Sequence, residues 1–153
     1  MIVGSSVRRK GTWETAADTI TLDETMRHRR RMAMVSDGGI AFLLDLPEAR
    51  LLMDGDAILL DDGRLVAVLA KPEPLYAVTA HGPRDLLALA WQIGNRHLPT
   101  QIEAGRLLIR RDPVIAEMLR GLGAHVDEVE AQFNPEGGAY GGTPEAHAHP
   151  HEH

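Results

Sequence analysis

The spacing of apolar and polar residues changes character once along the chain, at Lys71-Pro-Glu-Pro74. Before it, apolar residues come in short runs broken by glycine and aspartate. Thr19-Ile-Thr-Leu22 alternates with the two-residue period of a half-buried strand. Residues 32–35 run into Ser36-Asp-Gly-Gly39, a strong turn signal, and then into Ile40-Ala-Phe-Leu-Leu44. Ile58-Leu-Leu60, Asp61-Asp-Gly63 and Leu65-Val-Ala-Val-Leu69 predict a second hairpin, and Asp54-Gly-Asp56 a further turn. The one hint of helix is a short turn around Pro47-Glu-Ala-Arg50. This part, residues 1–72, predicts a small all-β domain.

Two prolines within Lys71-Pro-Glu-Pro74 favour an extended, stiff connector. Beyond it the period lengthens. Leu75-Tyr-Ala-Val-Thr79 predicts a strand. Gly82-Pro83 opens a helix with proline at its first position, Leu86, Leu89, Ala90 and Ile93 form its buried stripe, and Gly94-Asn95 ends it. Residues 100–103 and 106–109 flank Ala104-Gly105 as a hairpin. Asp112 is an N-cap followed by Pro113, and Val114, Ile115, Met118, Leu119 and Leu122 supply a second stripe closed by Gly121 and Gly123. Residues 125–129 predict the last strand. The order β-α-β-β-α-β over residues 73–133 is the ferredoxin-like arrangement. From about Asn134 to His153 the composition predicts a disordered histidine-rich tail. The fold class is therefore α+β.

Composition narrows the chemistry. The chain has 153 residues, 44% of them hydrophobic, so one or two real cores can form although aromatics are scarce. There is no cysteine, which removes disulfides, zinc ribbons and thiolate sites together. No apolar run approaches the roughly 20 residues of a membrane span, and the N-terminus lacks the pattern of a signal peptide; the expectation is a cytoplasmic protein without a membrane role. The net charge is −6. It is shared by both parts, with nine basic and eleven acidic residues in 1–70 and seven and eleven in 71–153. Neither is a basic module, so nucleic acid is not an expected partner.

The strongest chemical signal is the ending His147-Ala-His-Pro-His-Glu-His153. Neutral imidazole is a borderline-soft donor suited to nickel, copper and zinc. In an extended segment, residues two apart share a side, so His147, His149, His151 and His153 can turn toward one ion. Pro150 disfavours helix there, and Gly137, Gly138, Gly141 and Gly142 make a flexible tether. A plain polar tail or an appended tag is the bland account, although a tag is usually an unbroken histidine run. A second candidate is His97 in Gly94-Asn-Arg-His-Leu-Pro-Thr-Gln101, which the punctuation holds on a short exposed connector. One imidazole holds an ion poorly, but a two-fold dimer supplies a second copy. Enzyme signatures are missing. There is no His-Glu-x-x-His, no phosphate-binding glycine loop ending in Gly-Lys and no Gly-x-Ser-x-Gly.

The octapeptide 94–101, the helix-forming stretch 112–123, Phe133-Asn-Pro-Glu-Gly-Gly-Ala-Tyr140, the histidine-rich end and Ser36-Asp-Gly-Gly-Ile-Ala-Phe-Leu-Leu-Asp-Leu46 together resemble the UreE family of urease accessory metallochaperones. The resemblance spans nearly the whole chain. It implies a nickel-binding homodimer with a β-rich N-terminal domain for partner docking and a ferredoxin-like domain for metal binding and dimerisation. It also implies that His97 binds metal at the dimer interface and that the tail adds ligands. The implied role is delivery of Ni²⁺ during urease maturation, with the urease apoprotein complex and the other accessory proteins, notably the GTPase, as partners. Zn²⁺ or Cu²⁺ can use the same ligands. Where some members carry extra histidines, this chain has Arg110-Arg-Asp-Pro113.

Weaker candidates have simpler accounts. Arg27, His28, Arg29, Arg30 and Arg31 form a basic run read as a solvated face or sheet edge, with docking of an acidic protein as the alternative. His81 and His125 read as structural, Met32 and Met34 as core or edge packing, and Glu145 and Glu152 as solvated charge. The functional expectation is a non-enzymatic nickel metallochaperone. The alternatives are a nickel or zinc reservoir without a delivery partner, and a protein-interaction module with an incidental tail.

Overall fold

The structure, a computed structural model, describes residues 1–137. It forms two compact units, Met1–Lys71 and Pro72–Glu136. No helix among the described residues is long and apolar enough to cross a membrane.

The first unit is a six-stranded sheet built from β1 (Val3–Arg8), β2 (Asp18–Leu22), β3 (Arg31–Val35), β4 (Ala41–Asp45), β5 (Ala57–Leu60) and β6 (Leu65–Ala70). Its order is β2-β6-β5-β1-β4-β3. The hairpins β3–β4 and β5–β6 are antiparallel, as their turn residues predict, whereas β1/β4 and β2/β6 are parallel. One face encloses Ile20, Met34, Phe42, Leu44, Leu52, Ile58, Leu60, Val66 and Val68. The β3–β4 turn reaches the opposite edge of the sheet: the Asp37 amide donates to the Thr19 carbonyl at 2.8 Å. Ser36 Oγ and the Gly38 amide donate to Asp18 Oδ2, while Thr19 Oγ1 and Thr21 Oγ1 donate to Asp37. Gly38 is required, because a Cβ there would lie 2.5 Å from Asp18 Oδ2.

These bonds stabilise the ionised carboxylates. The Ser36 hydroxyl, first, and the Thr19 and Gly38 amides hold the Asp18 carboxyl below its ordinary range; the Thr19 hydroxyl does most for Asp37. A depressed folded pKa contributes stability that is present above the unfolded value, about 3.9, and lost as pH falls through the folded value. Asp18→Asn should therefore lower the denaturation midpoint at pH 7. The gap from wild type should begin to narrow as pH falls below about 4, where the unfolded carboxylate protonates, and close only below the depressed value at which the folded carboxylate protonates. A gap unchanged from neutral to strongly acid pH would show that the charge is irrelevant.

Two elements of this unit differ from the sequence reading. The expected turn at residues 47–50 is irregular, and the helix is α1 (Glu24–Arg27), capped by the Asp23 side chain on the Met26 amide. Four residues are too few to display a period. Strand β1 carries Gly4 amid polar residues and has no alternating signal. The glycine is set by its packing in the sheet: a Cβ on Gly4 would sit 2.6 Å from Ile58 Cγ2, on the neighbouring strand β5.

The second unit runs β7 (Glu73–Thr79), α2 (Pro83–Asn95), β8 (Thr100–Ile102), β9 (Leu107–Arg110), α3 (Pro113–Gly121) and β10 (His125–Ala131). The sheet order β10-β7-β9-β8, antiparallel throughout, is the ferredoxin-like topology that the sequence predicts. Strand β7 begins inside the expected connector. Pro74 is accommodated where β7 pairs with β10 only, beyond the stretch shared with β9. The helices cover one face, with Leu89, Ile93, Ala116 and Leu119 against Tyr76, Val78, Leu107 and Ile109. Within α3, Ala116 is buried while Val114 and Leu122 are exposed, so the stripe is narrower than the sequence implies.

The other face of this sheet is also covered. Phe133 is fully buried against Leu75, Ala77 and Leu108, with the Arg110 guanidinium 5.0 Å from its ring centroid. The chain then passes along β8. The Asn134 amide donates to Gln101 Oε1 at 2.8 Å, and the Glu136 amide to the Thr100 carbonyl at 2.7 Å. Residues 134–136, read from sequence as the start of an unstructured tail, are thus a strap. The neighbouring apolar anchor, Phe133, and the bare edge of β8, which lies far away in sequence, decide this.

Candidate metal-binding site

Helix α2 ends at Asn95, within the Gly94-Asn95 pair that the sequence predicts as its end. The chain turns at His97, whose φ is +59°; no other non-glycine residue among those described has a positive φ. The His97 amide donates to the Gly94 carbonyl at 3.0 Å and the Leu98 amide to the Ile93 carbonyl at 3.5 Å. These are the two bonds of a Schellman closure, with His97 at the left-handed position that glycine ordinarily takes. Leu98 packs on the cluster containing Ile93, which supplies the apolar contact of that motif. Gly94 therefore has no terminating role; the need to seat Leu98 sets the end of the helix. A β-carbon in left-handed backbone is unfavourable by about 1–2 kcal/mol. Such residues persist where the surroundings over-determine them, and they cluster at functional sites.

His97 is exposed. Helix α2 also presents Leu87 and Trp91 to solvent, 71% and 67% exposed, one helical turn apart on the helix whose end carries His97. Sequence reading missed both, because the buried stripe Leu86, Leu89, Ala90 and Ile93 already accounts for a helix of this length. Their large apolar side chains were the available signal.

The other candidates divide clearly. His147, His149, His151 and His153, with Glu145 and Glu152, lie outside the described residues. Among the described residues no group of three or more histidine, aspartate or glutamate side chains converges as a metal cage. Asp112 caps α3, its carboxylate accepting from the Val114 and Ile115 amides. Met34 is core, and Met32 packs against it. The basic run is not one face. Arg27 is 0% exposed, donating to the carbonyls of Leu22 and Leu52 at 3.3 and 2.9 Å, and its own carbonyl accepts from the Leu52 amide. His28 Nδ1 lies 3.3 Å from Glu24 Oε2. Arg29, Arg30 and Arg31 remain on the surface, with Arg30 and Arg31 each 3.8 Å from Asp45.

Fold and site define an α+β protein of two units, whose ferredoxin-like unit presents one conformationally constrained histidine on its surface. Residues 2–71 match the model of the UreE urease accessory protein N-terminal domain, and residues 73–153 that of its C-terminal domain. The chain is 62% identical over 149 residues to the urease accessory protein UreE of Chelativorans sp. (strain BNC1), covering 97% of this chain and 90% of that protein. It is 56% identical to the protein of the same name from Rhodopseudomonas palustris (strain HaA2), covering 97% and 70%. For Rhodobacter capsulatus the identity is 50%, with 90% and 85% covered. The chain belongs to the UreE family of urease accessory proteins.

Proposed function

We propose that this protein is a nickel metallochaperone of urease maturation. Its cargo is Ni²⁺, taken up by His97 from each of two subunits and by the tail residues His147, His149, His151 and His153. It passes the ion on through the other urease accessory proteins, including the GTPase, to the urease apoprotein complex. It is not an enzyme, and its compartment is the cytoplasm. The observation that carries this reading is the placement of an exposed imidazole on constrained backbone in a chain whose full length matches urease accessory proteins. With the backbone already fixed, only the side-chain torsions of His97 remain to be ordered on ligation. A shell completed by exchangeable ligands can be dismantled as a partner's ligands arrive. Capture and release need that, whereas a catalytic metal needs a rigid shell.

The homodimer has its own support. Leu87 and Trp91 form an exposed apolar surface on the helix that leads to His97, and an isologous interface there would bring two copies of His97 toward one axis. Light scattering at tens of micromolar should give a mass near twice 16.7 kDa for the wild type. Trp91→Glu with Leu87→Glu should give the single-chain mass. A wild type that stays monomeric with and without Ni²⁺ would remove the shared site.

A reservoir without a delivery partner is the alternative. Ni²⁺-loaded protein can be mixed directly with urease apoprotein and its accessory proteins, or with buffer containing an equal concentration of a weak chelator. A metallochaperone loses its ion to the first far faster than to the second; equal rates favour the reservoir.

A further inference from the structure

Two histidines that neither the core nor the site at His97 uses stand together elsewhere on the ferredoxin-like unit. His81 precedes Gly82, the N-cap of α2, and His125 opens β10, opposite Thr79 near the end of β7. Both are exposed. Their ring centroids are 5.1 Å apart and their planes lie at 74°.

That separation has chemical content. Two imidazoles bound to one ion at about 2.0–2.1 Å, with the bond angles of a tetrahedral or octahedral shell, have ring centroids about 5 Å apart. The backbone beneath is fixed. The register of β7 and β10 runs from His125↔Thr79 to Ala131↔Glu73, and Gly123, at φ +91°, turns the chain out of α3 toward His125. The positive end of α2 nearby disfavours a cation, and Asp85 in the first helical turn opposes it.

We propose that His81 and His125 form a separate site for one borderline divalent transition-metal ion, Ni²⁺, Cu²⁺ or Zn²⁺, with its remaining coordination positions open to water or to a donor's ligands. His97 cannot share this ion. The two sites lie at opposite ends of α2, whose 13 residues span about 20 Å. Open positions make the pair a place where an ion is exchanged rather than retained. The site is independent of the reading at His97 and survives if that reading fails.

The test uses the full-length chain with His97, His147, His149, His151 and His153 changed to Ala. Three of the eight histidines then remain, His28, His81 and His125. Calorimetry with Ni²⁺ and with Zn²⁺ should detect one ion per chain. Side-chain imidazole NMR signals of His81 and His125 should shift while those of His28 stay in place. Adding His81→Gln and His125→Gln should abolish binding; both side chains are exposed, so the fold should persist by circular dichroism. Should the five-alanine chain fail to fold, the two glutamine changes in the otherwise unaltered chain should lower the bound-metal count by one per chain. No binding in the alanine background, or binding that survives the two glutamines, would overturn the proposal.

Discussion

Urease activity in cells grown at limiting nickel should fall more with His97→Ala than with removal of residues 147–153, at equal levels of each protein. Losing a group that merely supports a metal ligand lowers affinity about 10–100-fold, and under the proposed function His97→Ala removes a ligand itself. Tail removal deletes four imidazoles and should lower the number of ions bound, with the thermal stability of the metal-free protein unchanged. His97→Gly isolates the role of the ring from that of its backbone. Glycine is at home at φ +59°, so this variant should be more stable than wild type by up to about 1 kcal/mol while losing the shared ion as His97→Ala does. A tail deletion that is inactive beside a normal His97→Ala would move delivery to the tail. A His97→Gly chain less stable than wild type would contradict the Schellman geometry.

Phe133→Ala should be the most damaging single change in the second unit. A fully buried phenylalanine truncated to alanine costs about 3–5 kcal/mol, and this one also holds the segment whose amides reach Gln101 and Thr100. The two tryptophans report one unit each, Trp13 the first and Trp91 the second. In a Trp13→Phe background, denaturant unfolding followed by Trp91 fluorescence should show a midpoint shifted strongly downward. Amide exchange should accelerate at Leu75, Ala77 and Leu108, which lie beneath the ring. Unchanged exchange there would mean that the sheet does not depend on the strap.

Much of the fold was legible because the forces concerned act over a few residues. Asp112-Pro113 starts α3 through a cap bond to the next turn, and Gly123 takes the positive φ that closes it. The hairpins at residues 36–39 and 61–63 follow from turn chemistry beside β-forming runs, and the period change after Pro74 separates the β-rich part from the ferredoxin-like one. Imidazole clusters are equally local in the sequence, so composition nominates the tail as a ligand set, whereas His97, a single loop histidine, is named as a ligand by the resemblance to the UreE family.

Other features depend on groups that meet only after folding. In a run of four arginines and one histidine, nothing distinguishes Arg27 until the carbonyls of Leu22 and Leu52 converge on its guanidinium. Buried charge is tolerated only with such partners. Gly94-Asn95 reads as the helix stop and the helix ends there, yet the left-handed turn falls at His97 because Leu98 must reach the cluster around Ile93. Phe133 finds its place under a sheet whose strands begin 60 residues earlier, at Glu73. His81 and His125 each read as structural histidines until the pairing of β7 with β10 sets their rings 5.1 Å apart. By itself the sequence determined most of the elements, β1 and α1 excepted, because their capping, turn and periodicity signals act within a turn or a strand. The tertiary structure decided which charge is buried, where the left-handed residue falls and which imidazoles become neighbours, because those depend on long-range convergence of carbonyls, apolar faces and strand register.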